Sequence, residues 1–179
     1  MYKRQELHSA LDPKAYRKAV ALLAESEFID IFGVENSLTP AMDLFTKLGY
    51  LGLTCRPNTD AYLQQIGAGH LPHGAVAVAF SHSGSSADTV KALRLAKSHG
   101  AKTIAITNAI GAPLASWADV TLLTGRDSHT IYGNAIFSRV ADTALVDMLY
   151  MGVILSDYGR FSTALDESGR MIRDRVFEN

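Results

Sequence analysis

The sequence has one cysteine, Cys55, in 179 residues. A single thiol can form no intramolecular disulfide and no multi-thiolate metal site. In such a chain it reads as a small core residue rather than a reactive one. An excess charge of one sign is also missing: 17 Lys+Arg against 18 Asp+Glu leave a formal net charge of -1. No sequence-wide basic surplus advertises a phosphate-backbone partner, which disfavours a stand-alone nucleic-acid binder. Long apolar runs are absent too. The start, Met1 to His8, is polar and lacks the apolar core of a signal peptide. The most apolar stretch, Ala141 to Leu155, carries Asp142 and Asp147 and is shorter than a membrane span. These absences point to a cytoplasmic protein with no membrane segment. No repeat, low-complexity tract or linker divides the chain, so a segment over residues 1–10 precedes a single domain over 11–179.

What is present is ordinary for a globular core: 47% hydrophobic and 20% charged residues, too apolar for disorder. A chain of this length buries roughly 70% of its unfolded surface without needing staples. Leu11 to Ser26 reads as a helix, with Asp12 as N-cap and Pro13 at the first helical position. Phe28 to Gly33 reads as a strand ending in a glycine turn, and Ser37 to Leu48 as a helix that tolerates Pro40 in its first turn. Leu51 to Arg56 is a short strand stopped by Pro57, and a helix follows from Thr59 to Ile66. Ala75 to Phe80 is a continuous apolar run of the length expected for a strand buried on both faces. Ala87 to His99 is a helix closed by Gly100. Lys102 to Thr107 and Val120 to Leu123 are further strands. Between them lie the loop Asn108 to Pro113 and a short helix, Leu114 to Trp117, with Trp117 expected in the core. Ile131 to Asp157 and Asp166 to Phe177 are the last helices.

Strands and helices thus alternate about five times. Such alternation gives a three-layer α/β/α fold with a five-stranded parallel sheet, expected in the flavodoxin-like order. Ligands of such sheets bind beyond the carboxyl ends of the strands at the switch point.

The loop Ser81-His82-Ser83-Gly84-Ser85-Ser86 falls at that place. Gly84 allows positive φ or close approach to a ligand. Backbone N–H groups from Ser83 to Ser86 are free donors at a helix start, and the hydroxyls of Ser81, Ser83 and Ser86 add more. The set suits a phosphate, since each charge-assisted hydrogen bond contributes about 1.5–3 kcal/mol. The competing reading is a plain turn, with Ser85 and Asp88 forming a capping box. That accounts for one serine, not four. A second loop, Gly33-Val34-Glu35-Asn36-Ser37, follows the first strand. Ser37 is there a possible N-cap, or faces the serine loop across one ligand.

The serine loop, together with Ala96-Lys97-Ser98-His99-Gly100-Ala101, Ile104-Ala105-Ile106-Thr107-Asn108, Pro113-Leu114-Ala115 and Ala118-Asp119, resembles the SIS (sugar isomerase) domain. The resemblance covers nearly the whole chain after Leu11. Ser138-Arg139 followed by Asp147-Met148-Leu149-Tyr150 is most similar to the effector-binding domain of RpiR-type transcriptional regulators. The resemblance implies an SIS fold and a sugar-phosphate ligand held by Ser37, Ser81, His82, Ser83, Gly84, Ser85 and Ser86. It also implies a homodimer or homotetramer, with DNA contacted only through a domain absent from these residues. One departure stands out: the family usually has a second glycine where this chain has Glu35.

No cofactor or metal is expected. His70 and His73 flank Leu71-Pro72 and are no helical metal pair, and Gly67-Ala68-Gly69 lacks the third glycine of a dinucleotide loop. The resemblance to RpiR-type regulators implies, as the leading expectation, the phosphosugar-sensing domain of such a regulator, and no base, orienter and electrophile assemble from the sequence to argue against it. The alternative is a stand-alone sugar-phosphate aldose–ketose isomerase. It would need a base beside the carbonyl, for which Glu35, His82 and His129 are the candidates by position.

Overall fold

The computed structural model describes residues 2–125 and 139–173. Valine and alanine alternate through β3 (Val76–Phe80), and the alternation sorts the two faces of the sheet. Val76, Val78 and Phe80 point into one core, together with Ile29 and Ile31 of β1 (Ile29–Phe32) and Ile104 and Ile106 of β4 (Lys102–Thr107). Ala77 and Ala79 point into the other, with Ala105. Large side chains on the first face hold α2 (Pro13–Glu25), α3 (Leu38–Tyr50) and α6 (Val140–Ser156), which contribute Leu23, Leu44 and Leu145. The alanine face lets α5 (Ala87–Ser98) lie close, through Ala92, Leu93 and Ala96, beside α4 (Ala61–Ala68). Small residues under a helix shorten the distance to the sheet, and large ones fill the deeper layer.

The five strands, completed by β2 (Cys55–Pro57) and β5 (Val120–Leu123), are all parallel in the order β2-β1-β3-β4-β5. This is the flavodoxin-like order expected from the alternation. Two strands, β4 and β5, match the sequence reading residue for residue. Asp12 caps α2 by accepting the Lys14 N–H at 2.9 Å.

Several boundaries differ. Residues before Leu11 carry a helix, α1 (Tyr2–Ala10), whose Leu7 is buried against the larger core. β2 is later than expected and includes Pro57, which pairs with Ile31. As an edge strand it can spare the N–H that proline lacks. The last helix, α7 (Tyr158–Met171), begins eight residues before the expected Asp166, because Asp157 caps it by accepting the Arg160 N–H at 3.1 Å. The expected helix from Ile131 is described only from Val140 onward, and its earlier part lies outside the described residues. Trp117 is not a core residue. It is 37% exposed in a 3₁₀ turn, with the Arg94 guanidinium 5.8 Å from its ring centre. Cys55 is half-buried against the larger core, and burial pushes its thiol up to about 12. Among the described residues, no helix is long and apolar enough to cross a membrane.

Candidate functional site

Strands β1 and β3 are neighbours, yet the chain leaves them toward opposite layers, β1 to α3 and β3 to α5. A crevice opens beyond the strand ends where connections diverge in this way. Two loops border it.

The first follows β1. A Cβ on Gly33 would lie 3.1 Å from the Ser37 carbonyl oxygen and 3.6 Å from that of Phe80, so the loop folds tightly on itself and on the end of β3. Glu35 then adopts φ 51, the one non-glycine residue with positive φ among those described. An L-residue in that region costs about 1–2 kcal/mol, which is the physical reason a glycine suits this position. The Glu35 side chain is exposed. Glu35–Ser37 form a 3₁₀ turn, in which the Ser37 N–H donates to the Val34 carbonyl at 3.0 Å. Ser37 occupies the N-cap position of α3, but its backbone is helical and its hydroxyl caps nothing. The capping role open to Ser37 is therefore not taken, and the buried hydroxyl is left for another partner.

The second loop follows β3. Ser81 extends the sheet, its N–H donating to the Ile106 carbonyl at 3.0 Å, and is 3% exposed. Gly84 has φ 62, and a Cβ there would fall 2.3 Å from the Ala112 Cβ and 2.8 Å from Thr107 Oγ1. The loop is tied to the segment after β4 on both sides. The Leu114 N–H donates to the Gly84 carbonyl at 2.9 Å; the His82 carbonyl accepts the Asn108 N–H at 3.0 Å and the Thr107 hydroxyl at 3.1 Å. Such ties pre-organise the backbone before any ligand arrives.

The serines themselves are lightly engaged. Ser85 N–H to Ser83 Oγ, Ser85 Oγ to Ser83 O, and Thr89 Oγ1 to Ser86 Oγ are all 3.3 Å, at the long end for hydrogen bonds. The Ser85–Asp88 capping box does not form. Ser86 is the N-cap of α5, in extended backbone and without a side-chain cap, while Asp88 Oδ1 accepts from Gln65 Nε2 at 3.3 Å. The first N–H groups of α5 thus lack a side-chain cap from Ser86, and they sit beside serine hydroxyls at the end of a helix whose dipole favours an anion.

His82 is half-buried in this loop. His129 lies outside the described residues. Asn108, the first residue of the expected Asn108–Pro113 loop and the last of a stretch that resembles the SIS domain, is buried at the end of β4, next to the serine loop. Its sequence signals are its place one residue past a buried strand and its position at the end of that stretch. Arg139 pairs with Asp142 at 3.4 Å on α6. Among the described residues, no group of three or more His, Cys, Asp or Glu could hold a metal ion.

The profile of the SIS domain matches residues 22–152. The chain belongs to the SIS domain family. This SIS domain is 30% identical over 171 residues to an uncharacterized HTH-type transcriptional regulator of Caldanaerobacter subterraneus, covering 96% of the chain and 61% of the regulator. It therefore spans less than two thirds of that relative's length. Among solved structures it is similar to the NanR protein of Vibrio vulnificus complexed with ManNAc-6P, with TM-score 0.90 and 25% identity over 97% of this chain and 66% of that one. The sugar isomerase domain of an RpiR transcription factor from Sphaerobacter thermophilus has the same fold, with TM-score 0.83 and 23% identity over 94% of each chain.

Proposed function

We propose that this SIS domain is the phosphosugar-sensing part of an RpiR-type transcriptional regulator. It holds a sugar phosphate between Ser37 and the loop of Ser81, His82, Ser83, Gly84, Ser85 and Ser86. The observation that carries the reading is the uncapped N-terminus of α5, set behind a serine loop that is already pinned in place. A dianionic phosphate supplies acceptors for the α5 N–H groups that Ser86 leaves uncapped and for serine hydroxyls held only by long, 3.3 Å contacts. The regulator names of its relatives and the ManNAc-6P complex of the similar NanR protein support the choice of ligand class and role.

Residues 11–179 act as one sensing domain in the cytoplasm, and DNA is contacted by a module outside this chain. The domain works as a homodimer or homotetramer. Met148, Met151 and Leu155, at three- and four-residue spacing on α6, are 39%, 49% and 68% exposed, which supports pairing with a second copy. A ligand that favours one arrangement of such copies shifts its population and so signals.

A thermal-shift screen of hexose, N-acetylhexosamine and pentose phosphates, with ManNAc-6P included, tests the reading. A ligand at one hundred times its Kd stabilises by about 2.7 kcal/mol. The shift should vanish in a Ser83→Ala, Ser86→Ala double variant. No shift with any sugar phosphate, or a shift indifferent to those substitutions, refutes it. Steady aldose–ketose interconversion of a hit, lost on Glu35→Gln, replaces the sensor by the isomerase.

A further inference from the structure

A polar chain, buried at Asp30 and Gln64 and half-buried at Arg56 and Asn58, runs from the middle of β1 to the first loop of the site. Asp30 in β1 is fully buried. Arg56 grips its carboxylate with Nε at 3.1 Å and Nη2 at 2.6 Å, and Asn58 Nδ2 reaches it at 3.3 Å. Burial pushes the Asp30 carboxyl up, and the Arg56 guanidinium works against that rise. Gln64 of α4 continues the chain. Its Nε2 donates to the Gly33 carbonyl at 2.6 Å and to the Asn58 carbonyl at 2.7 Å. Both partners are carbonyls, so the amide orientation is settled by chemistry: turned over, it would set oxygen against oxygen.

Gln64 is itself fully buried. An apolar side chain of similar volume would fill its place without desolvating an amide. What the amide supplies is a tie between the loops that leave β1 and β2. Gly33 opens the first ligand loop. Two residues later comes the left-handed Glu35, a conformation that persists only where its surroundings hold it. Two residues after that is Ser37. Gly67 makes room for the tie, since a Cβ there would lie 2.6 Å from Arg56 Nη2 and 3.0 Å from Asn58 Nδ2.

We propose that Gln64 is a positioning residue of the ligand site: it anchors the Gly33 carbonyl, holds the strained turn at Glu35, and thereby sets Ser37 beside the serine loop. The proposal rests on the sugar-phosphate reading for its effect on binding, whereas the anchor itself can be read without ligand.

Hydrogen exchange on the ligand-free chain reads the anchor. In Gln64→Leu the Ser37 amide, bonded to the Val34 carbonyl, should exchange at least about tenfold faster, while amides of β4 keep their wild-type rates. Titration with ManNAc-6P, or with the sugar phosphate giving the largest thermal shift, reads the consequence. Gln64→Leu should weaken binding about tenfold. That penalty should largely disappear in a Ser37→Ala background and persist in a Ser83→Ala background, because the effect passes through the first loop alone. Unchanged exchange at Ser37, exchange raised equally in β4, or equal penalties in the two serine backgrounds overturns the proposal. If Gln64→Leu does not fold, Gln64→Met carries the same measurements, and failure of both to fold assigns Gln64 to the core and overturns it. If the wild-type chain binds no sugar phosphate, the ligand reading fails, and the exchange result alone decides for or against the anchor.

Discussion

Gly84→Ala should separate backbone strain from steric exclusion at the serine loop. Gly84 has φ 62, so an alanine there incurs the left-handed penalty of about 1–2 kcal/mol. It also meets the Ala112 Cβ at 2.3 Å, far inside the usual carbon–carbon separation of about 3.5–4.0 Å. Backbone bonds from Leu114 to Gly84 and from Asn108 to His82 hold the two segments together, so the clash cannot relax by a simple side-chain turn. Overpacking of this kind costs about 1–3 kcal/mol. The sum is about 2–5 kcal/mol, or on the order of 5–15 °C in the unfolding midpoint of a chain this size.

Gly100→Ala is the matched reference. Gly100 has φ 88 and nothing within 4 Å of its would-be Cβ, so it incurs the strain alone, about 1–2 kcal/mol. The gain from a stiffer unfolded chain is common to both variants and cancels in the difference. Urea unfolding of the two proteins measures that difference directly. Agreement within about 0.5 kcal/mol would refute the steric argument. Because the loop moves when it is forced from Ala112, Gly84→Ala should also weaken sugar-phosphate binding, whereas Gly100→Ala should not.

Ser83→Ala and Ser86→Ala should each weaken sugar-phosphate binding about 10- to 150-fold, the value of one charge-assisted hydrogen bond, as read by calorimetry. Glu35→Gly should leave affinity within about threefold, because an exposed carboxylate is screened by solvent and salt; a larger change in titration would mean that Glu35 reaches the ligand. Burial raises the Asp119 carboxyl, but hydrogen bonds from the Thr103 N–H and hydroxyl and from Lys97 outweigh it and hold it below the usual carboxylate range. Its stabilisation is therefore present above the unfolded carboxylate value and lost as pH falls through the lower folded one. Asp119→Asn should cost about 1–3 kcal/mol near pH 7, and the deficit should close below about pH 4 in denaturant titrations. Cys55, with its thiol pushed up to about 12, should resist thiol reagents at pH 8 in the native chain and react promptly once unfolded.

How much was legible differed by element. β4 and β5 stood out because their bounds coincide with turn residues and with the ends of apolar runs. α7 did not, because Gly159, Ser162 and Thr163 dilute its first turns and hide the role of Asp157 as its cap. Ser85 and Asp88 have capping-box spacing, yet Asp88 is drawn to Gln65 on a different helix, a contact that local spacing cannot foresee. Trp117 looked like core by residue type, but its turn lies at the rim, where Arg94 covers its ring. Gln64 is the extreme case. In sequence it is one of two adjacent glutamines on a short helix, indistinguishable from a solvated residue. In the fold it is fully buried and spans two loops.

The sequence by itself determined the layered parallel architecture and the place of the serine loop. Both depend on local pattern: strand-length apolar runs alternating with helical periods, and a glycine among hydroxyl residues at a strand-to-helix turn. Only the tertiary structure decided which hydroxyls remain free and what holds the first loop in place. Whether Ser37 caps its helix depends on the backbone angle that the tight Gly33–Ser37 turn imposes. What holds Gly33 is a glutamine about thirty residues away in sequence. Such contacts join elements distant in sequence, so no local pattern encodes them, and they exist only once the sheet has set its strand order.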